Sequence, residues 1–392
     1  MVTLFVGNFE FEHRLSHRQA DGPLAGPLRR LTEELTSAWL AIANDGDLLW
    51  TTTQVEPEFF QRAPNWRLPS VRAVGTASDV PSGVEVCPWG LTNKIRDWAD
   101  SNGWKCSVPD EDVIRQVNSR LFSARLERDW GVGLRDTTVI RSLDDLRHAL
   151  RRLPADTDNW VLKAEFGMSG REKILARGNE PGKDVRNWLD KRLANGIAVV
   201  FEPWVDRVEE AGLQFTLPWS GPPVFEGVTP LLADRSGTYR GNRITCDAET
   251  EMRWLPAIET GMRAAREIRQ LGYFGPLGID AIRYRDHDGR IRLRSLQDIN
   301  ARHTMGRLGL GLRRLLDPGE VGTWLHLNRK SADLRGFGGD WDVWLQSRLS
   351  PGTRFVRTSP LLIDQRPVEH MTVVIAGQST DALRQSEDRL IS

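Results

Sequence analysis

A single β-hairpin, predicted over residues 275–301, constrains this chain more than any other feature of its sequence. The segment reads GPLGIDAIRYRDHDGRIRLRSLQDINA and contains two runs in which apolar and polar residues alternate. The runs meet at Asp288 and Gly289, a dipeptide that strongly favours a tight hairpin turn. Because side chains alternate between the two faces of a strand, Asp280 and Asp298 can lie together at the same end of the hairpin.

Three oxygen-bearing side chains gather at that end, because Asn300 follows Asp298 by two residues. Mg²⁺ binds one or two protein carboxylates and completes its octahedron with water and phosphate oxygens. We therefore predict that Asp280, Asp298 and Asn300 form the metal site of a nucleotide-binding protein. A second interpretation is an ordinary strand whose acids pair with the arginines of the tract 283–314.

The charge balance excludes a general attraction to nucleic acids or to anionic membranes. Lys and Arg total 53, and Asp and Glu total 53, so no net field draws such partners. No segment approaches the roughly 20 apolar residues of a membrane span, and the N-terminal MVTLFVGNFEFEHRL is unlike a signal peptide. Cys87, Cys106 and Cys246 form no close pair, which is typical of a reducing compartment. We therefore expect a cytoplasmic protein.

The chain as a whole predicts a mixed α/β protein. Its 392 residues correspond to two or three domains. Strands are expected at 2–6, 48–53, 84–88, 159–165, 173–178, 197–205, 214–220, 224–233 and 238–245, with two more within 353–376. Helices are expected from Pro109 and at 24–44, 90–103, 119–129, 142–152, 184–195 and 250–271. Ser142 is the expected N-cap of its helix.

The region from about 110 to 310 resembles the ATP-grasp superfamily of carboxylate ligases. In that family an acid on one late strand and an acid-x-Asn-x-Arg run on the next strand bind Mg²⁺ and position the acceptor. Asp280 and the run Asp298-Ile-Asn300-Ala-Arg302 match this pattern in order. Asp298 stands where the family more often has Glu, so the number of metal ions, one or two, stays open.

Upstream segments resemble the phosphate-binding elements of the family. WVLKAEFGMSGREKI is similar to its strand lysine followed by a flexible Gly- and Ser-rich loop, which implies that Lys163 contacts the α- and β-phosphates. Glycines let backbone N–H groups approach phosphate oxygens, and lysine adds a point charge. Arg120 would replace a lysine that commonly contacts phosphate, and Arg240 or Arg243 would be a further phosphate ligand. The implied loop residues are Gly167, Ser169 and Gly170.

The segment VVFEPWV resembles the hinge strand on which the adenine lies. The resemblance implies that Glu202 accepts a hydrogen bond from the adenine amino group. Pro203 offers only a carbonyl, so the donor to the ring would be the backbone of Trp204 or Val205. Gln214 stands where the family often has a ribose-binding Glu. Its competitors for that role are Glu209 and Glu210.

The resemblance implies an α/β protein with the ATP-grasp fold, in which two α+β subdomains clasp the nucleotide after a Rossmann-like pre-ATP-grasp domain. The expected N-terminal domain covers 1–110, and the N-subdomain with the phosphate loop covers 111–200. The C-subdomain with the Mg²⁺ site covers 201–320, and a C-terminal extension at 321–392 packs on the ligase core. Dimers are frequent in the family, so a homodimer is one expected assembly.

The implied activity is ATP-dependent carboxylate–amine ligation. A substrate carboxylate would attack the γ-phosphate of ATP to give ADP and an acyl phosphate, and an amine would then form an amide or peptide bond. Lys163 and Mg²⁺ would offset charge on the transferred phosphoryl group, and Arg302 would steady the tetrahedral oxyanion. Both substrates would be small molecules, most commonly an amino acid or a short peptide.

Two other functions fit the same nucleotide site. A few relatives phosphorylate a hydroxyl group and stop there, so a small-molecule kinase is one alternative. The departures at Asp298 and Arg120 make a catalytically silent nucleotide-binding protein the other. His303, next to the motif, is either a packed residue or a substrate contact.

Overall fold

Three main sheets organise the part of the chain that the computed structural model describes. The described residues are 1–16, 26–153, 158–167, 172–233, 238–245, 247–329 and 339–391. Within these ranges the sheets have four, four and eight strands, and a further short hairpin pairs two strands. No helix in the same ranges is both long and apolar enough to cross a membrane.

The first sheet is parallel and consists of short apolar strands. Its elements are β1 (Thr3–Val6), α1 (Phe11–Ser16), α2 (Gly26–Leu35), β2 (Leu48–Trp50), α3 (Pro57–Arg62), β3 (Arg72–Val74), β4 (Glu85–Pro88) and α4 (Asn93–Ser101). The strands pair in the order β3-β2-β1-β4, and every pair is parallel. Parallel strands need helical crossovers, and the predicted Rossmann-like character of this region is confirmed.

The second sheet is antiparallel and carries the lysine strand. Its elements are α5 (Glu111–Val117), α6 (Arg120–Trp130), β5 (Thr138–Ile140), α7 (Leu143–Arg152), β6 (Asn159–Ala164), β7 (Lys173–Arg177), α8 (Lys183–Ala194) and β8 (Val199–Pro203). The strands pair in the order β5-β8-β6-β7. Ser142 caps α7 as predicted, because its hydroxyl accepts a hydrogen bond from the Asp145 amide at 3.1 Å. Trp160 and Phe201 pack in the core beneath the sheet.

The third sheet has eight strands and supports the acidic hairpin. Its elements begin with β9 (Asp206–Leu217), β10 (Val224–Ala233), β11 (Tyr239–Arg243), α9 (Ala248–Gln270), β12 (Gly275–Arg285) and β13 (Ile291–Asn300). They continue with α10 (Met305–Gly311), β14 (Val321–Asn328), α11 (Trp341–Arg348), β15 (Thr353–Arg357), β16 (Leu362–Ile363), β17 (Arg366–Pro367), β18 (His370–Gly377) and α12 (Thr380–Ile391). The strand order is β13-β12-β9-β10-β11-β14-β18-β15, with β16 and β17 pairing separately.

Close packing of α9 on this sheet depends on a glycine. A Cβ atom on Gly261 would lie 2.7 Å from the ring of Phe215, which is closer than real side chains approach. Phe215 is fully buried, and Ile279 of the neighbouring strand lies in the same core. The helix therefore lies directly against the strands that carry the acids and fixes their position.

The predicted hairpin forms with the predicted turn. Gly289 adopts a positive φ of 75°, a conformation that glycine adopts without strain, and its amide donates to the Asp286 carbonyl at 3.0 Å. The register places Asp280 directly opposite Asp298 and Gly278 opposite Asn300. Directly opposed residues in an antiparallel pair have Cβ atoms about 5 Å apart. The predicted hairpin, with both acids at its same end, is therefore confirmed, and a β-bulge between Asp280 and Ile282 shifts the register before the acids.

Several predicted elements have different bounds in the structure. The helix expected over 24–44 is α2 followed by a 3₁₀ segment at Thr36–Ala41. The Thr36 hydroxyl donates to the Thr32 carbonyl at 3.1 Å, and such back-bonding by threonine bends helices. The region 353–376 contains four strands instead of two, because positive φ angles at Asp364 and Gln365 turn the chain between β16 and β17.

Candidate active site

One cleft lies between the antiparallel four-stranded sheet, which carries the lysine strand, and the eight-stranded sheet. Most of the predicted site residues that the structure describes line it, whereas Glu209, Arg240, Arg243 and His303 are not among its lining residues. Those that line it are Arg120, Lys163, Gly167, Glu202, Trp204, Val205, Gln214, Asp280, Asp298, Asn300 and Arg302. Ser169 and Gly170 lie outside the described residues. The hairpin acids and the strand lysine, far apart in sequence, thus face a common space.

Asp280 and Asp298 form an opposed acid pair on the floor of the cleft. Burial raises the pKa of Asp280 to about 7, and the neighbouring Asp298 carboxylate adds to this shift. Asn300 donates from Nδ2 to Asp280 at 3.2 Å, and a half-turn of its amide would present the oxygen instead. Two mutually repelling carboxylates beside an amide oxygen form a donor set that suits a hard divalent cation.

Arg120 reaches the acid pair from the other side of the cleft. Its guanidinium donates to Asp298 at 3.1 Å and to the carbonyl of Ala164 at 2.7 Å. Because Ala164 ends β6 and Asp298 lies on β13, the Arg120 side chain links the two sheets. The guanidinium also donates to the Gly167 carbonyl at 3.4 Å. Gly167 directly precedes residues 168–171 of the phosphate loop, which lie outside the described residues.

Lys163 is held by the side chain that was predicted to read the adenine. Its Nζ atom donates to Glu202 at 2.6 Å, and Arg294 contacts the same carboxylate with two nitrogens at 2.9 and 3.0 Å. Burial alone would raise the pKa of Glu202, but Arg294 and Lys163 together hold it well below its usual range. Both Glu202 oxygens therefore already accept hydrogen bonds, and its predicted contact with adenine would be an additional one.

The hinge segment leaves one of its two candidate amides for a nucleotide base. The Trp204 amide donates to the Asn159 carbonyl at 2.9 Å, so the donor to a bound ring would be Val205. The Arg207 guanidinium lies 4.4 Å from the centre of the Trp204 ring. This cation–π contact fixes the indole at the edge of the cleft.

The structure separates the candidates for the ribose. Glu210 and Gln214 line the cleft, since side chains two and four residues apart on β9 share a face. Glu209 does not line it and forms an ion pair with Arg283. Gln214 is buried and accepts a hydrogen bond from Thr304 at 2.7 Å, so Glu210 is the more accessible of the two cleft residues.

Arg302 is anchored by an acid that the sequence interpretation did not assign. Its Nε donates to Glu12 at 2.6 Å, its Nη2 donates to Asn300 at 3.0 Å, and its Nη1 donates to the carbonyl of His303 at 2.8 Å. The guanidinium also lies 5.3 Å from the centre of the Trp89 ring. Glu12 belongs to the segment GNFEFEH of α1, so the N-terminal domain fixes the arginine of the motif.

Two other predicted residues, Arg243 and His303, do not line the cleft. Arg243 forms an ion pair with Glu387 of α12 at 3.0 Å and is not among the residues that line the cleft. His303 is packed: its ring lies 5.0 Å from that of Trp39, and burial lowers its pKa to about 3. Of the two interpretations of His303, the packed one matches this environment.

We expect the magnesium-free protein to lose stability through Asp280 as pH rises. The ordinary pKa of this carboxyl is 3.8, and in the folded protein it is about 7. Because the folded state binds the Asp280 proton more tightly than the unfolded state, this proton stabilises the fold. That stabilisation is complete below pH 3.8 and is lost as pH rises through 7. Asp280→Asn should therefore stabilise the protein by about 1–2 kcal/mol at pH 8.

The measurement is thermal unfolding in EDTA at pH 8 and at pH 4. The expected result is a higher melting temperature for Asp280→Asn at pH 8 and little difference at pH 4. Equal shifts at both pH values would contradict the raised pKa of Asp280.

The comparisons with known proteins give one related sequence and many similar structures. No family model matches the chain. A curated relative is the butirosin acyl-carrier protein L-glutamate ligase of Niallia circulans, 28% identical over 281 residues. The match covers 68% of this chain and 65% of that ligase, so the chain matches slightly less than two thirds of the length of this relative.

The similar solved structures cover nearly the whole chain. An ADP complex of N5-carboxyaminoimidazole ribonucleotide synthetase is 12% identical with a TM-score of 0.55, covering 99% of this chain and 95% of that one. The biotin carboxylase domain of the Hydrogenobacter thermophilus 2-oxoglutarate carboxylase, solved with MgADP and bicarbonate, is 13% identical with a TM-score of 0.54, covering 96% and 86%. The likeness shows the ATP-grasp fold that the sequence predicted.

Proposed function

We propose that the protein is an ATP-dependent carboxylate–amine ligase that releases ADP and phosphate. The observation that carries this proposal is the convergence of Asp280, Asp298 and Asn300 with Lys163 and Arg302 in one cleft. An acid group, a lysine and an arginine in this arrangement meet the needs of a phosphoryl transfer followed by an acyl transfer. The ADP complex of the structural neighbour N5-carboxyaminoimidazole ribonucleotide synthetase supports a nucleotide in the cleft.

The first step joins the acid to the γ-phosphate of ATP. A carboxylate oxygen attacks the γ-phosphorus, and the bond to the β-phosphate oxygen breaks to release ADP. Lys163 and Arg120 lie in the cleft, where they would offset phosphate charge, and the Val205 amide would orient the base. The proposed ligands of Mg²⁺ are Asp280, Asp298 and Asn300, and the ion would supply charge neutralisation on the phosphate oxygens.

The second step transfers the acyl group to a nucleophile. The amine nitrogen attacks the acyl carbon, phosphate leaves, and a proton is lost from nitrogen. Arg302, held by Glu12 and Asn300, would stabilise the oxyanion of the tetrahedral intermediate. Closure of the phosphate loop over the nucleotide would exclude the water that would otherwise hydrolyse the acyl phosphate.

The sequence relative favours a second form of the acceptor. That relative is named as a ligase of an acyl-carrier protein and L-glutamate, so we propose a carrier protein as an alternative to a free amine. The two forms share the same first step. They differ in the nucleophile that receives the acyl group.

An ADP-release assay with pooled carboxylates tests the proposal. Release that depends on an acid and is increased by amines, or by a carrier protein with L-glutamate as the acid, would support ligation. Addition of hydroxylamine should trap the acyl phosphate as a hydroxamate. Release that requires an alcohol would instead indicate a kinase, and binding of ATP without any release would indicate a silent nucleotide-binding protein.

Three further expectations stand as parts of this proposal. The domain limits at 110, 200 and 320 remain predictions, and the large sheet continues across the last of them, because β14 pairs with β11. A homodimer is proposed by analogy with the H. thermophilus domain, which is described as a dimer. A cytoplasmic location rests on cysteine spacing, and Cys87 and Cys106 are free thiols in the structure.

A further inference from the structure

A buried arginine connects the two halves of the cleft. The side chains of Arg294 and Glu127 are 2% exposed, and that of Glu202 is 6% exposed. Arg294 donates to the two oxygens of Glu127 at 2.6 and 2.7 Å and to those of Glu202 at 2.9 and 3.0 Å. One guanidinium thus makes a paired contact with each of two carboxylates. We call these three residues the Arg294 clamp.

The clamp brings together elements that are separate in the fold. Glu127 lies on α6, and Glu202 lies at the end of β8 in the antiparallel four-stranded sheet. Arg294 lies on β13 in the eight-stranded sheet. With Lys163 the group contains two positive and two negative charges, so the buried network is neutral. Buried ions persist only when they are paired and hydrogen-bonded, and the clamp carboxylates and guanidinium pair with one another while Lys163 pairs with Glu202.

The clamp ends on Lys163, the lysine that is proposed to contact the nucleotide phosphates. Lys163 has a flexible four-carbon stem, so an unrestrained ammonium would sample many positions. Its Nζ donates at 2.6 Å to a Glu202 oxygen that Arg294 already holds at 3.0 Å. A rigid carboxylate therefore sets the place of a flexible cation in the cleft.

We infer that Arg294 is a positioning residue for the nucleotide phosphates, acting on Lys163 through Glu202. The inference deepens the proposed function and rests on it. It assigns Glu202 a role in holding Lys163, beyond the predicted contact with adenine. Loss of the clamp should weaken the binding of nucleotide phosphates while leaving the binding of the nucleoside nearly unchanged.

The test compares two probes, MgADP and adenosine, by isothermal titration calorimetry on the full chain. Arg294→Gln with Glu127→Gln removes one charge of each sign, so the network stays neutral. We expect this double variant to bind MgADP roughly tenfold more weakly and adenosine within about twofold of the unmodified protein. Glu127→Gln alone is the milder variant, and a smaller loss in the same direction is expected for it.

A cycle with Lys163→Met separates positioning from a purely structural role. If Arg294 acts through Lys163, the clamp substitutions should add no further loss of MgADP affinity once Lys163 is gone. The matched control is Arg283→Gln, which breaks an ion pair with Glu209 on the neighbouring strands and should leave both affinities unchanged.

Two different results would contradict the positioning role of Arg294 and the proposed function, and they can be told apart. Binding of MgADP by the unmodified protein, followed by equal losses for MgADP and adenosine or by additive losses in the cycle, would overturn the inference alone. Failure of the unmodified protein to bind MgADP would overturn the proposed function and the inference with it.

Discussion

Replacing Asp298 with asparagine is expected to lower ATP-dependent turnover about a thousandfold, the effect of losing several kcal/mol of metal-assisted charge stabilisation. Asp298 faces Asp280 across the hairpin and is the acid that Arg120 contacts. An amide in its place keeps the shape of the side chain but removes one of the two negative charges that would hold the cation. The measurement is ADP release at saturating ATP over a series of Mg²⁺ concentrations.

The matched control for this variant is Asp288→Asn. Asp288 lies on the same hairpin, at its turn, and its side chain is 53% exposed. The same chemical change there should leave turnover within about twofold, as expected of an exposed surface substitution. Near-normal turnover of the Asp298→Asn protein at ordinary Mg²⁺ concentrations would remove the metal assignment.

The acid pair was predictable because local signals determine a hairpin. The turn dipeptide at Asp288 and Gly289 fixes the connection, and the alternation of apolar residues fixes which side chains share a face. Together they bring Asp280 and Asp298 to the same end of the hairpin, whereas their direct opposition also depends on a β-bulge between Asp280 and Ile282 that these signals do not predict. Glu210 could have been preferred to Glu209 in the same way, since it shares a face of β9 with Gln214.

The partners of the charged site residues were not predictable by such local reasoning. Arg302 and Glu12 are 290 residues apart in sequence, and Arg294 is 167 residues from Glu127. No periodicity links residues at these separations, because their contact depends on how whole sheets pack. Arg243 illustrates the same limit, since the resemblance assigned it to a phosphate group while its side chain pairs with Glu387 of α12.

The distance in sequence between the site cations and the acids that orient them has a physical meaning for the proposed reaction. The proposed metal acids come from one hairpin, whereas Lys163 and Arg302 are each oriented by a carboxylate from another part of the chain. Lys163 depends on Glu202, and Arg302 depends on Glu12. The N-terminal domain is therefore part of the proposed catalytic geometry, because it supplies the acid that orients Arg302.

Arg302→Gln is expected to uncouple the two steps of the proposed reaction. ADP release that depends on the acid should stay within a few-fold of the unmodified protein, because Lys163, Arg120 and the acid pair remain. Amide formation should fall roughly 100- to 1000-fold, the usual cost of removing one oxyanion donor. Free phosphate should then exceed amide product, because the acyl phosphate is hydrolysed.

The comparison of ADP, phosphate and amide formed in the same sample measures this uncoupling. Glu12→Gln should show the same pattern at roughly tenfold, because the weakened pairing leaves Arg302 in place but less firmly oriented. Arg285→Gln is the matched control, since Arg285 lies on β12 with its side chain 51% exposed. If Arg302→Gln lowered ADP release and amide formation equally, Arg302 would act in phosphoryl transfer or in substrate binding, and the oxyanion role would be wrong.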